Sequence, residues 1–261
     1  MKTIRLECRN VTKRFAAQRK GEAPIVAVQN LNFQIADGEV VSLIGPSGCG
    51  KSTLLNMGSG LDPASDGEVM VDGEKVVKPN EHVAFMLQKD LLLPWRTIRQ
   101  NVEFGLEIRG VSASERKTIA LDLLKKCRLP DFADHYPHQL SGGMRQRAAL
   151  ARTLAVDPAV LLMDEPFSAL DAQTKMVLQQ DLGRTLAETG KTALFVTHDL
   201  VEAIALSDRV LVMSQRPGTI IEEIVIDIPD RDNPMERRKS PKTGPYIAQL
   251  MSLLHIGEEV H

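Results

Sequence analysis

No stretch of 18 or more consecutive apolar residues occurs in this 261-residue chain, so no segment is expected to cross a bilayer as a helix. Cysteine is scarce. Cys8, Cys49 and Cys127 are scattered without Cys-x-x-Cys spacing, which argues against a disulfide framework or a zinc site. His135 and His138 have ligand-like spacing, but they flank Pro137 and no third His or Cys stands near, so no metal is expected there. An excess of positive charge is also missing: 32 basic residues face 34 acidic ones, a net charge of −2. A nucleic-acid partner would favour a strongly basic face, so none is expected. Met1 to Arg9 alternates charge and apolarity and does not read as a signal peptide. No internal repeat or sustained heptad pattern is visible. The remaining composition, 43% hydrophobic and 25% charged, is that of a cytosolic protein. Its length suits one large α/β core, or a core plus a small subdomain.

Against that background one stretch stands out. Gly45-Pro46-Ser47-Gly48-Cys49-Gly50-Lys51-Ser52-Thr53 satisfies G-x-x-x-x-G-K-[ST], the P-loop. The apolar run Glu39 to Ile44 before it reads as a strand, and Leu54, Leu55 and Met57 after it are good helix formers. Strand, glycine loop and helix start make a phosphate cradle: backbone N–H groups point inward and the helix N-terminus adds partial positive charge. Glycines let the phosphates approach closely. Lys51 is expected to reach the β- and γ-phosphates and the Ser52 hydroxyl to bind Mg²⁺. Cys49, beside Lys51 at the helix start, is expected to be the reactive cysteine, modified by a maleimide and protected by nucleotide.

The rest of the chain reads as alternating strands and helices. Strands are expected over Ile4–Val11, Ile25–Ile35 and Val83–Leu87, with a hairpin at Glu68–Gly73. From about Ile98 helical periodicity dominates, so Lys89 to about Leu154 reads as a helical insertion, with a capping box at Ser112–Glu115. Strands resume at Val160–Met163, Thr192–Thr197, Arg209–Met213 and Thr219–Ile228. Helices are expected at Ala172–Glu188, from Leu200, and at Tyr246–Leu254. Asp230 to Gly244, rich in Pro and charge, reads as a loop.

Two further stretches carry chemistry. The apolar strand ending at Asp164 places a carboxylate where it can hold Mg²⁺ beside a P-loop strand, and Glu165 is poised to orient or deprotonate an attacking water. Leu140-Ser141-Gly142-Gly143-Met144-Arg145-Gln146-Arg147 is a second phosphate-facing helix start. With these residues the chain resembles, over nearly its whole length, the nucleotide-binding subunit of an ATP-binding-cassette (ABC) transporter. Leu140 to Met144 resembles the family signature, with Met144 where Gln is commonest. Ser168-Ala169-Leu170-Asp171 resembles the D-loop, Gln88 the Q-loop glutamine, and His198 the switch histidine. Phe15 stands where an adenine-stacking Tyr is more usual.

The resemblance implies a P-loop NTPase (RecA-like) α/β core, residues 1–88 and 155–261, with an antiparallel β subdomain, and a helical signature subdomain over 89–154. It implies ATP and Mg²⁺ as cofactors, with Ser52, Gln88 and Asp164 at the metal. Glu165, His198 and Gln88 would be catalytic. Two copies would meet head to tail, ATP lying between one P-loop and the other's Ser141, Gly142, Gly143 and D-loop Asp171. Membrane-spanning permease subunits on separate chains would be the partners, a solute-binding protein taking part indirectly, at the cytoplasmic face of the inner membrane. Leu91 to Thr97, Tyr136 to Gln139 and Asp230 to Lys242 resemble the nitrate/sulfonate/taurine importer branch. The 63 residues after His198 are too few for the regulatory barrel of sugar importers. Trp95 is expected at an exposed edge between core and insertion. A lipid-handling or export ABC ATPase, or a non-transport one, would share the core motifs.

Overall fold

A computed structural model describes residues 3–16, 23–168 and 170–256. The chain opens with two long strands, β1 (Ile4–Phe15) and β2 (Ile25–Ala36), then β3 (Val40–Ile44) and helix α1 (Lys51–Ser59). β4 (Asp66–Val71), β5 (Glu74–Lys75) and β6 (Val83–Met86) follow. Three helices come next: α2 (Ile98–Ile108), α3 (Ala113–Lys126) and α4 (Gly142–Ala155). The last part alternates as β7 (Val160–Asp164), α5 (Ala172–Thr189), β8 (Thr192–Val196), α6 (Leu200–Leu206), β9 (Arg209–Met213) and β10 (Ile220–Val225). Two helices end the described chain, α7 (Pro234–Lys239) and α8 (Thr243–Leu253).

The strands form two sheets. The larger has the order β10-β9-β3-β8-β7-β6, parallel throughout except for β10, which pairs antiparallel with β9. Its central strands are covered on both faces, which is why β3 and β8 are buried at every residue and read as unbroken apolar runs. The smaller sheet is antiparallel, in the order β2-β1-β4-β5. Its inward residues, among them Leu6, Val11, Leu31 and Ile35, share one core with α1 and one face of the large sheet. The helical segment α2–α4 packs with the far end of that sheet and α5 around a second core.

Local signals explain where these helices begin. Thr97 accepts from the Gln100 N–H, and the Gln100 side chain returns the bond to the Thr97 N–H. This capping box was not anticipated from the sequence. At the expected box, Ser112 accepts from Glu115 N–H at 3.4 Å, without a return bond. The expected loop over 230–244 is corrected as well. Pro234 at the first helical position and three basic residues in the last turn suit α7 to both of its ends. Arg237 anchors it, 2% exposed and donating to the Ala205 and Ser207 carbonyls at the end of α6. Proline and charge here signal a short helix instead of a loop.

Candidate functional site

The loop between β3 and α1 lies at the carboxyl end of the large sheet. Gly48 and Gly50 have φ of +75° and +106°, left-handed values that only glycine adopts freely. A Cβ on Gly50 would overlap Val28 and sit 3.0 Å from the Ala27 carbonyl, so β2 presses directly on the loop. The Lys51 ammonium donates to the Gly45 and Pro46 carbonyls at 2.8 and 2.9 Å, tying the end of the loop to its start. A cavity of about 670 Å³ opens over this cradle, ample for a small-molecule ligand. Its floor is Ser47, Gly48, Gly50, Lys51, Ser52 and Thr53; Phe15, Ala16, Ile25 and Ala27 make an apolar side. Phe15 is 40% exposed, with the Lys13 ammonium 5.2 Å from its ring centre.

The acidic side comes from the ends of β7 and β8. Burial pushes the Asp164 carboxyl above the ordinary carboxylate range, opposed by a hydrogen bond from the Ser52 hydroxyl and by the Lys51 charge. A hydroxyl bonded to a half-buried carboxylate fits Mg²⁺, which takes hard oxygen ligands and keeps most of its shell for phosphate and water. Among the described residues no cluster of three or more His, Cys, Asp or Glu could hold a metal. Glu165 lines the cavity and has a φ of +46°. For a side chain other than glycine such backbone costs about 1–3 kcal/mol. Its N–H donates to the Val196 carbonyl on β8 at 3.1 Å, which holds the turn in place. The Glu165 carboxylate then stands 3.5 Å from Nδ1 of the exposed His198. Gln88, just after β6, donates to the Ser168 hydroxyl at 2.9 Å, and Ser168 donates to the Glu165 carbonyl at 3.0 Å.

The remaining expected residues are placed elsewhere. Ser141 caps α4, accepting from the Met144 N–H at 3.3 Å. Gly143 packs so closely on α5 that a Cβ would overlap Thr174. Asp171 caps α5, and the Thr174 N–H holds its carboxyl below its usual range. Neither Ser141, Gly142 and Gly143 nor Asp171 lines the cavity of their own chain; Ala169 lies outside the described residues. Cys49 requires a correction. It is 1% exposed, packed beneath the loop near Gly45, so the expected reaction with maleimide lacks access. Cys8 and Cys127 are buried too, and burial pushes the Cys127 thiol up to about 12.

A family model described as "ABC transporter" matches residues 28–168. The chain belongs to the ABC transporter family. It is 42% identical over 256 residues to the nitrate import ATP-binding protein NrtD of Synechocystis, covering 96% of this chain and 95% of the relative. With the taurine import ATP-binding protein TauB of Rhizobium johnstonii it shares 41% over 250 residues, 94% of this chain and 95% of that one. An uncharacterized ABC transporter ATP-binding protein of Methanocaldococcus jannaschii is 46% identical over 225 residues, covering 86% and 83%. Among solved structures, a dimeric ATP-binding cassette in a post-hydrolysis state with ADP and phosphate superposes with a TM-score of 0.73. It is 37% identical and covers 85% of this chain and 99% of its own. The expected α/β P-loop architecture is therefore that of an ABC cassette.

Two features of this cassette escaped the sequence reading. One is how α4 holds the segment after β6. Gln146 donates to the Gln88 carbonyl at 3.0 Å, Arg145 to the Asp90 carboxylate at 3.0 Å, and Arg152 to the Asp90 and Leu91 carbonyls at 2.6 and 2.7 Å. All three follow the signature on one helix, but their partners lie more than fifty positions away, and spacing along α4 does not disclose them. The other is Arg216, from the loop after β9, which lines the cavity. Its Pro217-Gly218 neighbours signal a turn but not its destination.

Proposed function

We propose that this chain is the ATP-hydrolysing subunit of an importer for small anions such as nitrate, sulfonates or taurine. Residues 1–88 and 155–261 form its catalytic core and 89–154 its signature-bearing helical part. The observation that carries the reading is the placement of the Glu165 carboxylate at the mouth of the phosphate cradle, held by a strained turn beside His198. A carboxylate there orients a water for in-line attack on the γ-phosphorus and accepts its proton as the bond to the leaving ADP breaks. Backbone N–H groups of the P-loop and the Lys51 ammonium hold the phosphate oxygens, and Phe15 stacks on the adenine. Ser52, Asp164 and Gln88 would hold Mg²⁺, which would supply charge neutralisation on the phosphates. His198 donates to the γ-phosphate.

Ser141 to Gly143 and Asp171 stand away from the cavity of their own chain, which suits a head-to-tail dimer in which each completes the partner's site. No described helix is long and apolar enough to cross a membrane. The transmembrane path thus falls to permease subunits on other chains, at the cytoplasmic face of the membrane, with a solute-binding protein acting indirectly. Trp95, 71% exposed beside α2, offers those permeases an apolar contact. The nitrate and taurine import proteins that align along nearly this whole chain support the choice of cargo class.

Glu165→Gln tests the reading. Loss of a general base costs about 10²–10⁴-fold in rate, while Lys51 and Asp164 still hold nucleotide. Uncleaved ATP should bridge two copies, because a ligand that binds only the dimer shifts association by mass action. The variant should elute as a dimer in ATP and a monomer in ADP. A variant that hydrolyses ATP at the wild-type rate removes Glu165 from the mechanism; one that binds ATP yet stays monomeric removes the shared site.

A further inference from the structure

The loop joining β9 to β10 belongs to none of the motifs above, yet it is fastened to the phosphate cradle on several sides. The Gly218 N–H donates to the Ala27 carbonyl at 3.0 Å, and its carbonyl accepts from the Gln29 N–H at 2.9 Å, so the loop rides on β2. A Cβ on Gly218 would overlap the Cys49 carbonyl, so the backbones of this loop and the P-loop lie in direct contact. The Ser214 hydroxyl accepts from the Thr219 N–H at 3.0 Å and closes the loop on itself. At its tip, Nε of Arg216 donates to the Gly48 carbonyl at 3.2 Å, and the side chain lines the cavity together with Lys51 and Phe15. Among the described residues no acceptor takes its Nη groups and no carboxylate pairs with it. A guanidinium oriented through Nε, with the four N–H donors of its two Nη groups unclaimed beside a glycine loop of N–H groups, matches phosphate oxygens in both charge and geometry.

We propose that Arg216 is a further nucleotide-contacting residue, its Nη groups donating to phosphate oxygens of the bound nucleotide while its Nε fixes it to Gly48. This rests on the nucleotide site argued above. Titration of the full-length protein with a fluorescent mant-ADP separates the contact from a mere brace. Arg216→Gln keeps an N–H donor for the Gly48 carbonyl but loses the charge; Arg216→Lys keeps the charge. At low ionic strength the Gln variant should bind about tenfold more weakly, as expected for loss of a charge-assisted hydrogen bond. The Lys variant should recover most of that loss, and the gap should narrow in high salt. The Tm of the nucleotide-free protein should not move, since Arg216 is exposed. A Gln variant within twofold of wild type overturns the proposal, as does a Lys variant no better than Gln. Lys51→Ala serves as the control: undiminished binding there sinks the nucleotide site itself, not the role of Arg216.

Discussion

The phosphate cradle and the joint where α4 meets the segment after β6 stand close together but are built from different materials. The cradle is made of backbone: left-handed glycines, a strand end and a helix start, pressed by β2 from one side and the Gly218 loop from another. The joint is made of long side chains, Gln146, Arg145 and Arg152, reaching across to carbonyls and one carboxylate. Behind it, between α4 and α5, lies a cavity of about 20 Å³ lined mostly by apolar side chains such as Leu150, Met163, Phe167 and Leu178, together with Gln146, Arg147 and Asp181. Arg147 Nε and both Asp181 carboxylate oxygens are buried there, ion-paired through Arg147 at 3.3 Å and Arg128 at 3.0 Å but without hydrogen-bond geometry. Backbone packing of this kind leaves no room for adjustment. Long side chains that join separate segments can re-pair where packed backbone cannot.

The largest effect should come from placing a methyl group in the cradle. Gly50→Ala puts a Cβ into Val28 and near the Ala27 carbonyl, at a φ of +106°. Backbone strain alone costs about 1–3 kcal/mol, and relieving it moves the N–H groups that define the cradle. Affinity for ADP, followed by calorimetry, should fall by about 100-fold or more, on the order of 3 kcal/mol. Near-normal affinity would mean that the cradle yields as easily as the joint, and the contrast would collapse.

A side-chain deletion at the joint should act differently. Gln146→Ala removes the bond to the Gln88 carbonyl, worth about 1 kcal/mol, so Tm should drop by about 2–4 °C. ADP affinity should stay within about twofold, because no cradle atom moves. The rate of ATP hydrolysis should fall several-fold, since Gln88 connects through Ser168 to Glu165. Affinity lost in step with rate would show that joint and cradle are one rigid unit.

The same contrast explains what the sequence disclosed. Backbone devices need particular residues at fixed spacing, so the cradle, the β7 terminus with Asp164 and Glu165, and the cap at Ser141 are all visible as motifs. Side-chain devices join distant segments. Nothing near Gln146 announces Gln88, and nothing near Arg216 announces Gly48. The neighbours of Cys49 in sequence suggest reactivity, while the burial that denies access comes from packing under the loop. The helix at Pro234–Lys239 is not legible in the sequence because its anchor, Arg237 on the α6 carbonyls, is a tertiary contact.

The smallest effect concerns Asp181 on α5, 5% exposed. Arg128 and Arg147 lie 3.0 and 3.3 Å away, yet burial outweighs them and pushes the carboxyl above its usual range. The folded chain thus keeps a proton that the unfolded chain has already released. The stabilisation from this group is full below the ordinary carboxylate pKa, about 3.9, and is lost as pH rises through the folded value. Asp181→Asn removes the titration. At pH 7 the amide oxygen of Asn can still accept from Arg147 and half-exposed Arg128 can turn to solvent, so the variant should lie within about 1 kcal/mol of wild type, the worth of one hydrogen bond. As pH falls from 7 towards 4.5 the difference should move in favour of wild type, measured by urea unfolding at each pH. A wild-type advantage that grows with rising pH would show instead that the arginine pairs dominate. The joint would then be clamped by charge and would not be the soft element the contrast requires.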